Sequence, residues 1–471
     1  MASPSVADLV ERAKRLLTEV EAFEKSVIQQ RRENAIEHRH FVGSIRAEVR
    51  SLEKLSSADP SSDRIQHTVN SSNLPFFESV WAAAKRTTGI VAFTKRFYWT
   101  PTTSNLAKRA TKDPKRHSAL VDVVAKNGSE WIKVSTITKM RLLFEMAKQG
   151  WANGPLSDSG EEDDTDCPKF QHPDDEDNNE ISLVKAAENL RKASQATRVR
   201  YHHPKVHFVL PKIEAGEIEE VDRILEDIQN TGATLHCGSQ IPQTLPELDG
   251  VLSGMVFDEF RDFSDVLNID CTVLLALVSD LSHYTVPQEQ WLHKAVRRQI
   301  EMEDKEKLLP TSLYPAMGGR KLVTTAEAAK RMHEIVDTIG TETEKARTAI
   351  IMQQEPRAQR EELIERFQKY SDYPVPSSWQ IPLKIVNKDV NRAQVPSLAE
   401  AVMEPLSDIN RSVFSYGWLS GRTTISSNRT VAKQIEHLVE EHRTSEEDRG
   451  PDVWLCPTAR SLVGKEKGRK E

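Results

Sequence analysis

Leu267-Asn268-Ile269-Asp270-Cys271-Thr272-Val273-Leu274-Leu275-Ala276-Leu277-Val278-Ser279 is the stretch on which the fold turns. The residues up to Ile269 read as a buried strand. Asp270 ends that strand, and an apolar helix follows at once. A strand that passes directly into a helix is half of a βαβ unit, so the chain is expected to be an α/β protein. The same stretch supplies the sharpest candidate site. In open α/β sheets, ligands bind beyond the carboxyl ends of the strands. An acid at that edge, with the Thr272 hydroxyl two residues on, is sited to hold a divalent cation through oxygen ligands. The competing reading is that Asp270 only caps the helix behind it, accepting from its free N–H groups.

A metal centre that cuts phosphodiesters needs several carboxylates on one or two ions. Downstream candidates are Asp280, Glu327, Glu334, Asp337 and Asp408. Asp280 lies nearly three helical turns from Asp270, too far to share an ion. Glu327 also has a local explanation, since Thr324-x-x-Glu327 reads as a capping box. Further on, a long charged helix is expected from Thr341 to Lys369, then Pro374, Pro376, Pro382 and Pro396, a helix over 430–443 and a strand over 453–456.

Upstream the pattern changes. Val6, Leu9, Val10, Ala13, Leu16, Leu17, Val20 and Phe23, then Phe41, Val42, Ile45, Val49, Leu52 and Leu55, recur at three- and four-residue steps and predict two helices. They suit packing on their own domain or a protein partner. Ala119 to Ala125 and Trp131 to Val134 flank Asn127-Gly128, a strong hairpin signal. Val206–Leu210, a helix over 217–231 and Thr234–Cys237 suggest a further strand–helix–strand run. Residues 156–181 are an acidic, weakly hydrophobic block that cannot bury enough surface to fold alone. They read as a disordered insertion, or as an acidic partner-binding segment. The division expected is a mixed helical and α/β domain over 1–245, a linker at 246–264 and an α/β/α domain over 265–465.

A second candidate site is the basic, aromatic stretch between Lys85 and His117. Lys95, Arg96, Phe97, Tyr98, Trp99, Lys108 and Arg109 alternate cations that bind phosphates with rings that stack on bases. The other reading puts the rings in a core and the cations on a solvated face. Weaker signals are Asp122 with Glu130 and Lys133, spaced E-x-x-K rather than the E-x-K of restriction-type nucleases, and His202, His203 and His207, with no matching cluster beside them.

Composition limits the alternatives. Of 471 residues 38% are hydrophobic and 29% charged, which is ordinary for a globular chain. A net charge of −7 does not suggest a general nucleic-acid binder. The four cysteines form no C-x-x-C pair, so neither a disulfide framework nor a zinc signature is expected. The opening residues have no apolar core of a signal peptide. The longest apolar run, Cys271 to Val278, is far short of the ~20 residues of a membrane span. A cytoplasmic or nuclear protein with no membrane partner is the expectation. P-loop, dinucleotide and nucleophile-elbow motifs do not occur.

The run from Leu267 to Ser279 resembles the opening of a PIN domain and, more closely, a eukaryotic family called domain of unknown function 1308. Leu120 to Ala125 with Gly128 and Trp131-Ile132-Lys133, Val199-Arg200-Tyr201 with Pro204, and Ile335 to Gly340 are similar to further family motifs in the same order. The resemblance implies a C-terminal PIN-like domain of three α/β/α layers. It also implies RNA as substrate and Mg²⁺ or Mn²⁺ as cofactor if the site is active. Asp270 matches the first acid of the motif and Thr272 the hydroxyl after it, with Glu327, Asp337 or Asp408 to supply a second carboxylate. The family's later G-x-G-D is represented by Gly417-Trp418-Leu419-Ser420, followed by Thr424, Ser427 and Asn428. Ser420 therefore stands where an acid is expected. The two functions in view are a weak metal-dependent ribonuclease and a catalytically inactive RNA- or protein-binding adaptor.

Overall fold

The computed structural model describes residues 5–56, 71–100, 117–152, 181–353, 358–387 and 396–464. Residues 156–180 of the acidic block, and Lys108 and Arg109, lie outside the described residues. The chain divides into two compact units, residues 1–259 and 260–471, and both are α/β.

In the first unit, α1 (Val6–Gln29) starts at a capping box. The Ser5 hydroxyl accepts from the Asp8 N–H, and the Asp8 carboxylate accepts from the Ser5 N–H. Its buried stripe is Leu9, Ala13, Leu16, Val20, Phe23 and Val27. That stripe meets α2 (Arg39–Ser56) and α3 (Leu74–Lys85) over one face of a five-stranded sheet, where Phe93, Val123 and Ile132 complete the core. The apolar faces of both N-terminal helices are thus used within their own unit.

The sheet runs β1 (Ala92–Tyr98), β2 (Ser118–Ala125), β3 (Glu130–Val134), β4 (Lys205–Leu210) and β5 (Thr234–Cys237) in sequence order. The first three strands are antiparallel and the last two continue parallel. The β2–β3 turn falls at Asn127-Gly128. Lys126, Asn127 and Gly128 all have positive φ, which Asn and Gly tolerate best. The other face is covered by α4 (Lys139–Ala152), α5 (Ser182–Gln195) and α6 (Glu219–Asn230). The stretch read as a linker contains α7 (Leu248–Met255), and Met255 and Val256 join the first core. Eight residues are too few for helical periodicity to stand out.

The second unit is built on an all-parallel sheet of order β10-β9-β6-β7-β8. These are β6 (Val266–Ile269), β7 (Lys321–Thr325), β8 (Lys384–Val386), β9 (Thr424–Ser426) and β10 (Val453–Leu455). The first strand in sequence is central, and the order reverses between it and β9. In a doubly wound sheet that reversal is where a ligand crevice opens. Helix α8 (Cys271–Val278) follows β6 directly and is apolar nearly all round, hence buried. After it come α9 (Asp280–His283), α10 (Lys294–Glu306) and α11 (Tyr314–Met317).

Two expectations change here. Thr324 and Thr325 end β7 rather than open a helix, and α12 (Ala326–Ile339) starts after them. The single helix expected over 341–369 is two, α13 (Glu342–Ile351) and α14 (Arg360–Gln368). Pro356 lies between them, and the residue before a proline disfavours helix. The rest of the unit is α15 (Ser397–Met403), α16 (Asp408–Leu419) and α17 (Arg429–His442). Gly417 lets α16 press onto the sheet, since a Cβ there would lie 2.1 Å from Thr424 Oγ1.

Among the described residues no helix is long and apolar enough to cross a membrane.

Candidate functional site at the carboxyl edge of the C-terminal sheet

Strand β6 delivers Asp270 to the carboxyl edge of the sheet, beside the end of β9. The side chain is 2% exposed. Its Oδ2 accepts two hydroxyl hydrogen bonds, from Ser426 at 2.6 Å and from Thr272 at 2.7 Å. Each hydroxyl then takes a backbone N–H: Asn428 donates to Ser426 Oγ at 3.0 Å, and Ser427 donates to Thr272 Oγ1 at 3.1 Å. Asp270 is therefore the hub of a knot that ties the β6–α8 turn to the β9–α17 turn. The knot lies at the edge where the strand order reverses.

Burial pushes the Asp270 pKa above its ordinary value. The Ser426 and Thr272 hydroxyls and the N–H groups of Cys271 and Thr272 pull it back only in part. Asp270 also occupies the N-cap position of α8, as the capping reading expected, but its side chain closes no capping hydrogen bond. The nearby N–H groups act on it as dipoles.

The raised pKa has a stability consequence. Between the ordinary pKa and the folded one, the folded protein holds a proton that the unfolded chain releases, so stability falls as pH rises through that window. Asp270→Asn keeps an oxygen for both hydroxyls and removes the titration. Urea midpoints from pH 4 to 8 should therefore decline less in Asp270→Asn than in the parent protein. Parallel declines would sink the account.

The other predicted ligands do not join Asp270. Glu327 stands just beyond β7 at the same edge, where its carboxylate accepts from the buried Ser412 hydroxyl at 2.6 Å. It does not close the capping box expected with Thr324. The helix is capped one residue later, by Thr325 Oγ1 accepting from the Ala328 N–H, and Thr324 donates to Ile269 O at 2.9 Å. Asp337 is exposed near the far end of α12. Asp408 is 96% exposed in the first turn of α16, 3.7 Å from Arg411.

Ser420 also stands elsewhere than the motif implied. It follows the last turn of α16 and donates to Tyr416 O at 2.5 Å, before β9 begins. That is the amino end of the sheet, where Thr423 and Ser264 bond each other ahead of β9 and β6. An acid at 420 would not reach Asp270, and the residue that meets Asp270 across the crevice is Ser426.

The donor set tests the expected ion. Mg²⁺ and Mn²⁺ want oxygen ligands that include more than one carboxylate in most nuclease centres. Among the described residues no three of His, Cys, Asp or Glu are grouped to hold a metal. One Asp270 oxygen, Oδ2, is already taken by two hydroxyls. These residues do not fit the group.

Sequence reasoning missed Ser412 and Ser426. The sign available for Ser426 was Thr424-Ile425-Ser426-Ser427-Asn428, a short strand ending in hydroxyls before a helix, which repeats the design of Ile269 to Thr272.

The basic, aromatic stretch of the first unit divides by strand alternation. Phe97 stacks on Trp131 with centroids 3.9 Å apart, and Trp99 packs against the same core, so both rings are partly buried by the core. Lys95 is held by Glu37 at 2.5 Å. Arg96 and Tyr98 face solvent. Asp122 is buried and pairs with Lys133 at 3.2 Å, while Glu130 turns to Lys126 at 2.7 Å and lies 3.8 Å from His207. The two acids of the restriction-type layout therefore do not converge.

Residues 267–440 match the family model described as protein of unknown function, DUF1308. Over that span the C-terminal unit is similar to the DUF1308 family. The resemblance to DUF1308 seen at Leu267 to Ser279 is borne out, and the match takes in Asp270, Thr272, Glu327, Ser412 and Ser426. No solved structure matches the chain.

Proposed function

We propose that the chain is a catalytically inactive RNA-binding adaptor whose DUF1308 unit is a PIN-like domain. The PIN-like reading is supported by the all-parallel order β10-β9-β6-β7-β8 and by an acid at the end of the first, central strand. The observation that carries inactivity is the Asp270 knot. A carboxylate that is buried, pushed toward its neutral form and closed by Ser426 and Thr272 is a structural hub rather than an ion ligand. The free, buried thiols of Cys237, Cys271 and Cys456 suit a reducing cytoplasm or nucleus.

The test is incubation of the full chain with labelled single-stranded RNA in Mn²⁺ and in EDTA, for the parent protein and for Asp270→Asn. The expected result is RNA binding that survives EDTA and no Mn²⁺-dependent cleavage in either protein. Cleavage that needs Mn²⁺ and disappears in Asp270→Asn would restore the ribonuclease reading, with Asp270 and Glu327 as the acids of one edge.

A further inference from the structure

Helix α10 carries basic residues at its amino-terminal end, where its dipole disfavours them. The positive end of a helix dipole favours acids in the first turn, and the negative end favours cations in the last. The first turn of α10 has no acid. Lys294 and Arg297 stand there instead, with Arg298 next to them, while Glu301, Glu303, Asp304 and Glu306 follow toward the carboxyl end, interrupted by Lys305. The three amino-terminal cations are exposed and make no ion pair among the described residues. Elsewhere the same unit pairs its arginines readily, as Arg331 with Glu334 and Arg443 with Glu440.

The helix is held in this orientation from below. Leu292 and Ile300 are buried with Leu281, and Val296 packs against them. The turn itself is capped by His293, whose Nδ1 accepts from the Ala295 N–H at 3.2 Å. Above it is an open groove of about 470 Å³, lined by His293, Lys294, Arg298, Gln299 and Met302 among others. Trp291, two residues before the cap, is 44% exposed. An unpaired cation cluster on a positive helix end is relieved by an anion. The exposed indole of Trp291, three residues before Lys294 in the chain, offers a face on which a base can stack.

We infer that Trp291 and the amino-terminal turn of α10 form a docking surface for single-stranded RNA. Phosphates lie against Lys294, Arg297 and Arg298, and a base stacks on Trp291. The surface rests on the RNA-binding reading above and names where the RNA sits, on a face that owes nothing to the Asp270 crevice.

The experiment is fluorescence anisotropy of the full chain with a labelled oligouridylate, over a salt series. It compares the parent protein, the triple variant Lys294→Glu, Arg297→Glu, Arg298→Glu, and Trp291→Ala. Inorganic phosphate and polyglutamate serve as competitors. The triple variant should bind at least about tenfold more weakly. Its salt slope should be shallower by about 2, since each phosphate that a cation neutralises on a single strand adds about 0.7 to the slope. Trp291→Ala should weaken binding about five- to a hundredfold. The melting temperature of the triple variant should hold or rise, because acids suit that helix end, so weaker binding cannot be put down to unfolding. Competition by polyglutamate as strong as by RNA, with no effect of Trp291→Ala, would overturn the proposal in favour of an acidic protein partner. Parent-like affinity and slope in the triple variant would overturn it too, while leaving RNA binding in place. A parent protein that binds no RNA would remove both readings.

Discussion

Arg347→Met should destabilise the C-terminal unit by about 3–5 kcal/mol, the cost of opening a buried ion pair from one side. Arg347 is fully buried. Its guanidinium donates to Tyr370 O at 2.8 Å, to Val278 O at 2.6 Å and to Asp280 Oδ1 at 2.8 Å, and it lies over the Tyr284 ring. Three segments of chain therefore meet on one side chain. Methionine fills much of the volume, leaves two carbonyls without their donor and leaves the Asp280 carboxylate without its counter-charge. Asp280→Asn should cost less, since the Thr341 and Thr343 hydroxyls still reach residue 280. Urea unfolding followed by hydrogen exchange in α8 and α13 would separate this unit from the other. A loss below about 1 kcal/mol for Arg347→Met would contradict the role given to the network.

Arg460→Gln should have an effect of the same order, about 3–5 kcal/mol, with a distinct pH signature. Arg460 is 2% exposed and Glu303 4%. The Arg460 Nε–H donates to Glu303 Oε2 at 2.8 Å, and Nη2 lies as close but off the hydrogen-bond axis. Burial pushes the Glu303 carboxyl up, Arg460 pulls it down, and the Leu308 N–H adds to that pull. Without the guanidinium the folded pKa rises further. Protons are then held by the folded form and released by the unfolded chain, so the variant should lose stability as pH rises above the usual carboxylate range. Pairing Arg460→Leu with Glu303→Leu should recover most of the loss, because two apolar groups need no partner. A flat pH profile in Arg460→Gln, or no recovery in the double variant, would show that the pair does not hold the segment.

What the sequence made legible was whatever is long or chemically marked. Helices α1 and α2 repeat their apolar positions for five turns or more. Asn127-Gly128 marks its turn, and the passage from Ile269 through Asp270 into α8 marks the central strand. Strands β8, β9 and β10 have three residues each, too few for a period of two to register. Alternation was available in β1 and the residue after it, where Arg96 and Tyr98 are exposed and Phe97 and Trp99 pack on the core, but a mixed basic and aromatic run hides it. The site was harder still. Ser426 meets Asp270 across 156 positions of sequence, and nothing local to either residue announces the other. Ser420 was misplaced for the converse reason. Order along a motif says which residue comes next, not which end of a strand it occupies.

The segment from Cys456 to Val463 crosses helices made far earlier. Ser461 bonds Gln299 and Ser279, Val463 bonds Glu344, and Arg460 neutralises Glu303. Glu303 and Arg460 are 157 positions apart. A ribosome adding about 5–20 residues per second reaches Arg460 roughly eight to thirty seconds after Glu303. Through that interval the nascent unit has a central strand and much of its core, but carboxylates awaiting burial without their counter-charges. Closure of this half of the protein thus waits on the delivery of one arginine.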